Sequence, residues 1–115
     1  MTVSERTAGT IVVLDVQGNV TLEDGAQQLR DKVRSLLQQE RRQIVVNLGA
    51  ASFIDSAGLS ELVQTYATVS RQGGSLKLLH VTRRLRDLLV ITKLATVFEL
   101  FDDEQTAVES FGAST

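Results

Sequence analysis

The stretch QIVVNLGAASFIDSAGLSELV, residues 43–63, decides the fold because it joins an apolar strand to the start of a helix. QIVVNL, residues 43–48, is rich in β-branched residues and nearly continuous in its apolar character, as is typical of a strand covered on both faces. From residue 57 to residue 72, apolar residues recur at three- and four-residue steps and the pattern ends at Gly73. This spacing predicts an amphipathic helix directly after a buried strand.

The rest of the chain alternates strands and helices in the same way, which indicates βαβ crossovers and a mostly parallel sheet. The predicted strands are 2–7, 10–17, 43–48, 75–81 and 97–101, and the predicted helices are 22–40, 57–72, 82–91 and 103–111. The short connection at Ala8 and Gly9 favours an antiparallel hairpin. Thr21, with Asp24 three residues on, is expected to cap the first helix, whose apolar face begins at Leu22.

We therefore predict an α/β fold with a mixed, mostly parallel sheet of about five strands, an antiparallel N-terminal edge hairpin and about four helices. The chain has 115 residues, of which 43% are hydrophobic and 23% charged. That length and composition are typical of one globular domain, so residues 1–115 are expected to form a single domain.

Composition also excludes several classes of function. The chain has no cysteine and one histidine, so we expect no disulfide, no metal site and no cofactor. Its net charge of −2 argues against binding to nucleic acid, which needs a basic face. The N-terminus, MTVSERTAG, lacks the pattern of a signal sequence, and no apolar stretch approaches the roughly 18 residues of a membrane span. We expect a cytoplasmic protein that does not insert into membranes.

Ser56 lies where a predicted strand meets a helix, and functional loops of open α/β sheets gather at such strand ends. Asp55 or Ser56 can cap the helix by accepting a hydrogen bond from a backbone amide, which stabilises by about 1 kcal/mol. Gly58 falls in the first turn, where glycine costs about 0.5–1 kcal/mol relative to alanine. Two explanations stay open for Gly58: tight packing against a neighbouring element, or close approach of another molecule beside Ala57.

Residues 45–63, VVNLGAASFIDSAGLSELV, resemble the signature of STAS domains, in particular of bacterial anti-sigma-factor antagonists. The shared features are an apolar strand ending in Asn-Leu, a loop of small residues, and Asp-Ser-x-Gly-Leu opening a helix. Supporting matches span most of the chain: Gly18, Gly73-Gly74, the helix RLRDLLVITKL at 84–94, the Phe-x-Leu-Phe segment at 98–101 and Thr106-Ala107.

The resemblance implies that Ser56 is phosphorylated by an anti-sigma factor that is also a serine kinase. The unphosphorylated protein would bind that partner and so free the sigma factor, and a serine phosphatase would restore this form. The resemblance does not indicate an oligomeric state. Two positions depart from the family pattern: Thr21 stands where many antagonists carry an acid, and Ala57 stands where a second serine or threonine is frequent. Ser56 is therefore the acceptor inside the motif.

The predicted partner-binding surface combines the loop before the second helix, the exposed side of that helix and a group of arginines. Its residues are Asp55, Ser56, Ala57, Gly58, Leu59, Arg83, Arg84 and Arg86. The three arginines lie at a helix start, where the helix dipole disfavours cations, which points to an external partner. The alternative is a solvated face whose arginines pair with Asp87 or other surface acids.

Two other classes of function are alternatives. A hydrolase would use Ser56 as nucleophile, His80 as base and Asp102 or Asp103 to orient the base, but a nucleophile elbow needs glycine where Ile54 stands. The alternation of side chains along the predicted strand instead places His80 at a half-buried position with a structural role. We expect no enzymatic activity. The remaining alternative is a STAS binding subunit without a phosphorylation switch, in a stress-signalling complex or in regulation of a sulfate-type or lipid transporter.

Overall fold

The computed structural model of the protein describes residues 1–22 and 24–112, and it shows a five-stranded sheet with four helices. The elements are β1 Thr2–Ala8, β2 Ile11–Val20, α1 Ala26–Gln38, β3 Gln43–Ile54, α2 Ser56–Arg71, β4 Ser75–Leu79, α3 Arg83–Ile91, β5 Leu100–Phe101 and α4 Glu104–Gly112. The strands are ordered β1-β2-β3-β4-β5. β1 is antiparallel to β2 and the other neighbours are parallel, which confirms the predicted fold class.

Both faces of the sheet are buried, and β2 shows this most clearly. Val12, Leu14 and Val16 point into a large core that also receives apolar residues of α1, α2 and α3. The alternate residues Ile11 and Val13 join a smaller core with Ala107 and Phe111 of α4 on the opposite face. β3 divides in the same way, so its continuous apolar run, QIVVNL, follows from burial on both sides.

The first helix begins four residues later than predicted. Thr21 and Asp24 instead close a tight turn, in which the Thr21 backbone N–H donates to the Asp24 carbonyl at 2.7 Å and the Asp24 N–H donates to Thr21 Oγ1 at 3.0 Å. Gly25 then precedes α1 with φ 105°, a conformation that glycine adopts without strain. Leu22 is 76% exposed, so its predicted place on the buried face was wrong.

Strand ends also differ from the prediction. β4 stops at Leu79 instead of residue 81, and His80 turns out of the sheet with φ 54°. His80 is exposed, so the predicted half-buried position was wrong. The predicted strand at 97–101 shrinks to Leu100–Phe101 because Val97 lies in a turn, where its N–H donates to the Leu94 carbonyl at 3.0 Å.

Buried Lys77 of β4 helps to hold α4 on the sheet. Its Nζ donates to Ser110 Oγ at 2.7 Å and lies 4.4 Å from the centre of the Phe111 ring. Glu99 pairs with the same amine at 3.3 Å. A buried ammonium is stable only when it is paired or hydrogen-bonded, so Ser110 and Glu99 replace the water that α4 excludes from Lys77.

Arg6 joins β1, β2 and the start of α4. Its guanidinium donates to both carboxylate oxygens of Asp15 and to both of Glu104. Asp15 also accepts from Asn47 Nδ2 at 2.8 Å. The hydrogen bonds from Arg6 hold the pKa of the Asp15 and Glu104 carboxyls below their usual range. The same hydrogen bonds raise the pKa of Arg6.

Replacing Arg6 with Gln is expected to cost about 1 kcal/mol of unfolding free energy at pH 7, because exposed ion pairs are weak even in networks. A carboxyl with a lowered pKa in the folded protein stabilises it at pH values above the ordinary carboxyl pKa of about 4 and loses that effect as pH falls. The difference between the wild type and Arg6→Gln should therefore shrink during acidification, as measured by urea unfolding at several pH values. Arg34→Gln is the control, since exposed Arg34 has no ion pair in the described chain; a difference for Arg6→Gln that stays constant with pH would contradict the expectation.

Candidate functional site

Ser56 is the first residue of α2, immediately after the carboxyl end of β3. β3 ends at Ile54, and Asp55 is the N-cap of the helix with extended backbone angles, φ −89° and ψ −176°. The Asp55 N–H donates to the Val20 carbonyl at 3.3 Å, which ties the junction to the end of β2. The position of Ser56 is therefore fixed by the end of β3, which precedes it, and by the end of β2, to which Asp55 is bonded.

Asp55, and not Ser56, caps the helix. Asp55 Oδ1 accepts from the Gly58 N–H at 2.8 Å, and Oδ2 accepts from the Leu22 N–H at 3.3 Å. Ser56 is exposed, and its hydroxyl makes no hydrogen bond to any described residue. The backbone amides of Ser56 and Ala57 likewise donate no hydrogen bond within the described chain. The junction thus presents a hydroxyl group beside two unpaired amides.

Gly58 is buried where the first turn of α2 crosses the end of β2. A Cβ atom at this position would overlap the carbonyl group of Val20 and would lie 3.1 Å from Ile54 Cγ2. Tight packing therefore explains this glycine, whereas the sequence left close approach by another molecule open. Leu59 is also buried and Ala57 is half-buried, so Gly58 and Leu59 support the surface at Ser56 without lining it.

Two apolar side chains near the junction were missed by the reasoning from sequence. Leu22, whose amide binds Asp55, is 76% exposed, and Phe53 is 46% exposed. Phe53 pairs with Asn19 of β2 beyond a register shift, and this irregularity turns its side chain outward. The small residues before Phe53 could have indicated that the end of β3 is exposed, because small side chains cannot fill a core on both sides of a strand.

The three predicted arginines have different surroundings. Arg86 pairs with Asp102 at 3.1 Å, in agreement with the alternative of a solvated, ion-paired face. Arg83 and Arg84 are exposed and form no ion pair within the described chain. Arg84 lines a groove with Phe53, so the structure does bring the start of α3 beside the end of β3.

The residues proposed for a hydrolase are engaged elsewhere. Asp102 pairs with Arg86, and Asp103 accepts hydrogen bonds from the Thr106 N–H at 2.9 Å and from its hydroxyl at 3.0 Å. No hydrogen bond joins Ser56 to His80 in the described chain. In the same residues, no three histidine, aspartate or glutamate side chains are grouped to hold a metal ion, and no helix is both long and apolar enough to span a membrane.

The structure is thus an α/β domain with an exposed serine directly after a capping aspartate at a helix start. The family model of the STAS domain matches residues 2–107, and the chain belongs to this family. The resemblance seen in the Asp-Ser-x-Gly-Leu motif is thereby confirmed.

The chain is similar to proteins named anti-sigma-factor antagonists. It is 34% identical over 98 residues to the anti-sigma-B factor antagonist of Bacillus subtilis (strain 168), covering 83% of this chain and 89% of the relative. The structure of an anti-sigma factor antagonist from Mycobacterium paratuberculosis matches 95% of this chain and 92% of that chain, with a TM-score of 0.83 at 20% identity. The structure of the Bacillus cell fate determinant SpoIIAA in the phosphorylated form matches 96% of this chain and 99% of that chain, with a TM-score of 0.75 at 19% identity.

Removing the carboxylate of Asp55 should destabilise the protein far more than removing the hydroxyl of Ser56. Asp55→Ala is expected to cost about 1–2 kcal/mol of unfolding free energy, because a helix cap is lost. Ser56→Ala is expected to stay within about 0.5 kcal/mol of the wild type, as for exposed side chains without partners. Urea unfolding followed by circular dichroism measures both, and a larger loss for Ser56→Ala would show that the hydroxyl has a structural role.

Gly58→Ala distinguishes packing from helix propensity by the sign of its effect. Propensity alone would stabilise α2 by about 1 kcal/mol, whereas the overlap with Val20 is expected to destabilise the protein by about 1–3 kcal/mol. Ala57→Gly at the adjacent position is the control and should lose no more than about 1 kcal/mol. If Gly58→Ala proved more stable than the wild type in urea unfolding, the packing explanation would fail.

Proposed function

We propose that this protein is an anti-sigma-factor antagonist that binds an anti-sigma factor with serine-kinase activity while Ser56 is unphosphorylated. Phosphorylation of Ser56 by that partner releases it, and a serine phosphatase restores the binding form. The observation that carries the proposal is the exposed, unbonded hydroxyl of Ser56 at the start of α2. The relative named anti-sigma-B factor antagonist supports the same role. A cytoplasmic location is part of this proposal.

The isolated protein can accept a phosphate at Ser56 without refolding. A phosphoserine carries a charge of about −1.5 to −2, and the positive end of a helix dipole favours an anion at this position. The unpaired amides of Ser56 and Ala57 can donate to phosphate oxygens, as amides at helix N-termini commonly do. Because the Gly58 amide already binds Asp55, the existing cap is retained.

The same phosphate blocks a complex. A partner that covers this surface would strip water from the phosphate beside the carboxylate of Asp55 and the apolar side chains of Leu22 and Phe53. Burying an uncompensated charge costs several kcal/mol. A penalty of about 3–4 kcal/mol corresponds to more than a hundredfold loss of affinity. The switch therefore acts at the interface and not on the fold.

The proposed contact surface assigns different roles to the predicted residues. Ser56, Asp55 and Ala57 contact the partner, while buried Gly58 and Leu59 hold them in place. Beyond this centre, the surface extends along the exposed side of α2 and to the start of α3. The α3 residues of this surface are Arg83, Arg84 and Arg86.

The test is to incubate the protein with ATP and an anti-sigma factor kinase from the same cell, map the phosphate, and compare binding of the two forms. We expect phosphate on Ser56, more than a hundredfold weaker binding of the phosphorylated protein, and unchanged circular dichroism. Ser56→Ala should bind as the wild type does but accept no phosphate, and Ser56→Asp should bind weakly while remaining folded.

Two results would count against the proposal in different ways. Phosphate on Ser52 or Ser60 would reject Ser56 as the acceptor. Tight binding of a partner by both the phosphorylated and the unphosphorylated protein would instead favour a STAS binding subunit without a switch.

A further inference from the structure

β3 is longer than its neighbour β4 and has an open edge. The β3–β4 ladder ends where Asn47 pairs with Leu79, whereas the β2–β3 ladder continues to Val20 and Ile54. Residues 49–54 therefore pair on one side only. The edge stays open because β4 stops pairing with β3 after Leu79. His80, with φ 54°, donates its N–H to the Phe101 carbonyl of β5 at 2.8 Å, and the chain then enters α3.

A groove runs beside this open edge, between β3 and α3. It has a volume of about 150 Å³, and its apolar lining includes Leu48, Ile54, Leu85 and Leu88. Half-exposed Phe53 also lines it. His80 lies against Gly49, but the side chains of residues 50–52, Ala-Ala-Ser, are small, so another backbone can approach the edge closely there.

Arg84 supplies the one charged group among the residues that line the groove. It forms no ion pair within the described chain, in contrast to Arg86, which pairs with Asp102. An unpaired guanidinium beside an apolar surface is suited to a carboxylate, to which it can donate two hydrogen bonds.

We propose that this groove binds an extended, acidic segment of a partner protein, which adds to the open edge of β3 as an extra strand. Unpaired backbone groups on a strand edge are a template for such pairing, and alternate side chains of the added strand enter pockets beside the edge. An apolar side chain of the segment fills the space between Leu85 and Phe53, and an acidic side chain pairs with Arg84. Residues 49–54 span roughly 20 Å, which accommodates a segment of about six residues.

This site borders the proposed switch surface at Ser56, and Phe53 and Arg84 belong to both. It requires the edge of β3, the groove and Arg84, and it needs no phosphate, kinase or phosphatase. The unmodified protein by itself should bind the segment, so failure here would leave the proposal for Ser56 intact, and the reverse also holds.

The test uses random 12-residue peptides displayed on phage, selected on the wild-type protein and then synthesised for calorimetry. We expect selected peptides that alternate apolar residues and carry at least one aspartate or glutamate. Arg84→Glu should weaken their binding by about tenfold or more, because the paired charge is reversed. Arg83→Glu has the same change in net charge at an exposed residue outside the groove, and its effect should stay below about threefold.

Amide hydrogen exchange locates the bound peptide, and it is expected to protect amides within residues 49–54. Thermal unfolding verifies that each variant is folded. If Arg84→Glu does not fold, Arg84→Gln replaces it and should also bind the peptides more weakly than Arg83→Glu does. The proposal is overturned if no peptide is selected, if the selected peptides lack acidic residues, if Arg83→Glu weakens binding as much as Arg84→Glu, or if protection lies outside the groove.

Discussion

The close packing of Gly58 against the carbonyl group of Val20 is the contact on which the candidate site depends. Because this residue has no side chain, the first turn of α2 rests directly on the end of β2. Asp55 can then reach two amides at once, that of Gly58 within the helix and that of Leu22 in the preceding loop. With Asp55 occupied as the cap, the hydroxyl of Ser56 has no structural task and faces solvent.

The two-sided core holds the strands whose ends form this junction. β2 and β3 are covered by α1, α2 and α3 on one face and by α4 on the other. Arg6 and Lys77 attach α4 through ion pairs and hydrogen bonds, in addition to the apolar contacts of Ala107 and Phe111. This framework supports the proposal that a phosphate at Ser56 changes docking and not the fold.

The order of strands and helices was predictable from sequence because hydrophobic periodicity reports burial directly, as the QIVVNL run of β3 shows. The exposed position of Leu22 was not predictable from sequence, because the turn between Thr21 and Asp24 competes with a helix cap built from the same residue types. The length of β3 depends on register shifts against β2, which are tertiary features. Likewise, the sequence offered Asp55 and Ser56 as equivalent caps, and backbone geometry at the junction decided between them.

The register shifts in β3 also bear on how well this segment tolerates substitution. Residues 49–52 carry small side chains, three of them exposed, and the large core receives only Ala51 from this segment. Mutations at exposed Ala50 and Ser52 are expected to cost little stability, because exposed substitutions are usually tolerated. The segment nevertheless leads directly to the loop that carries Ser56. Substitutions at these exposed positions can therefore change the border of the surface around Ser56 without disturbing the core beneath it.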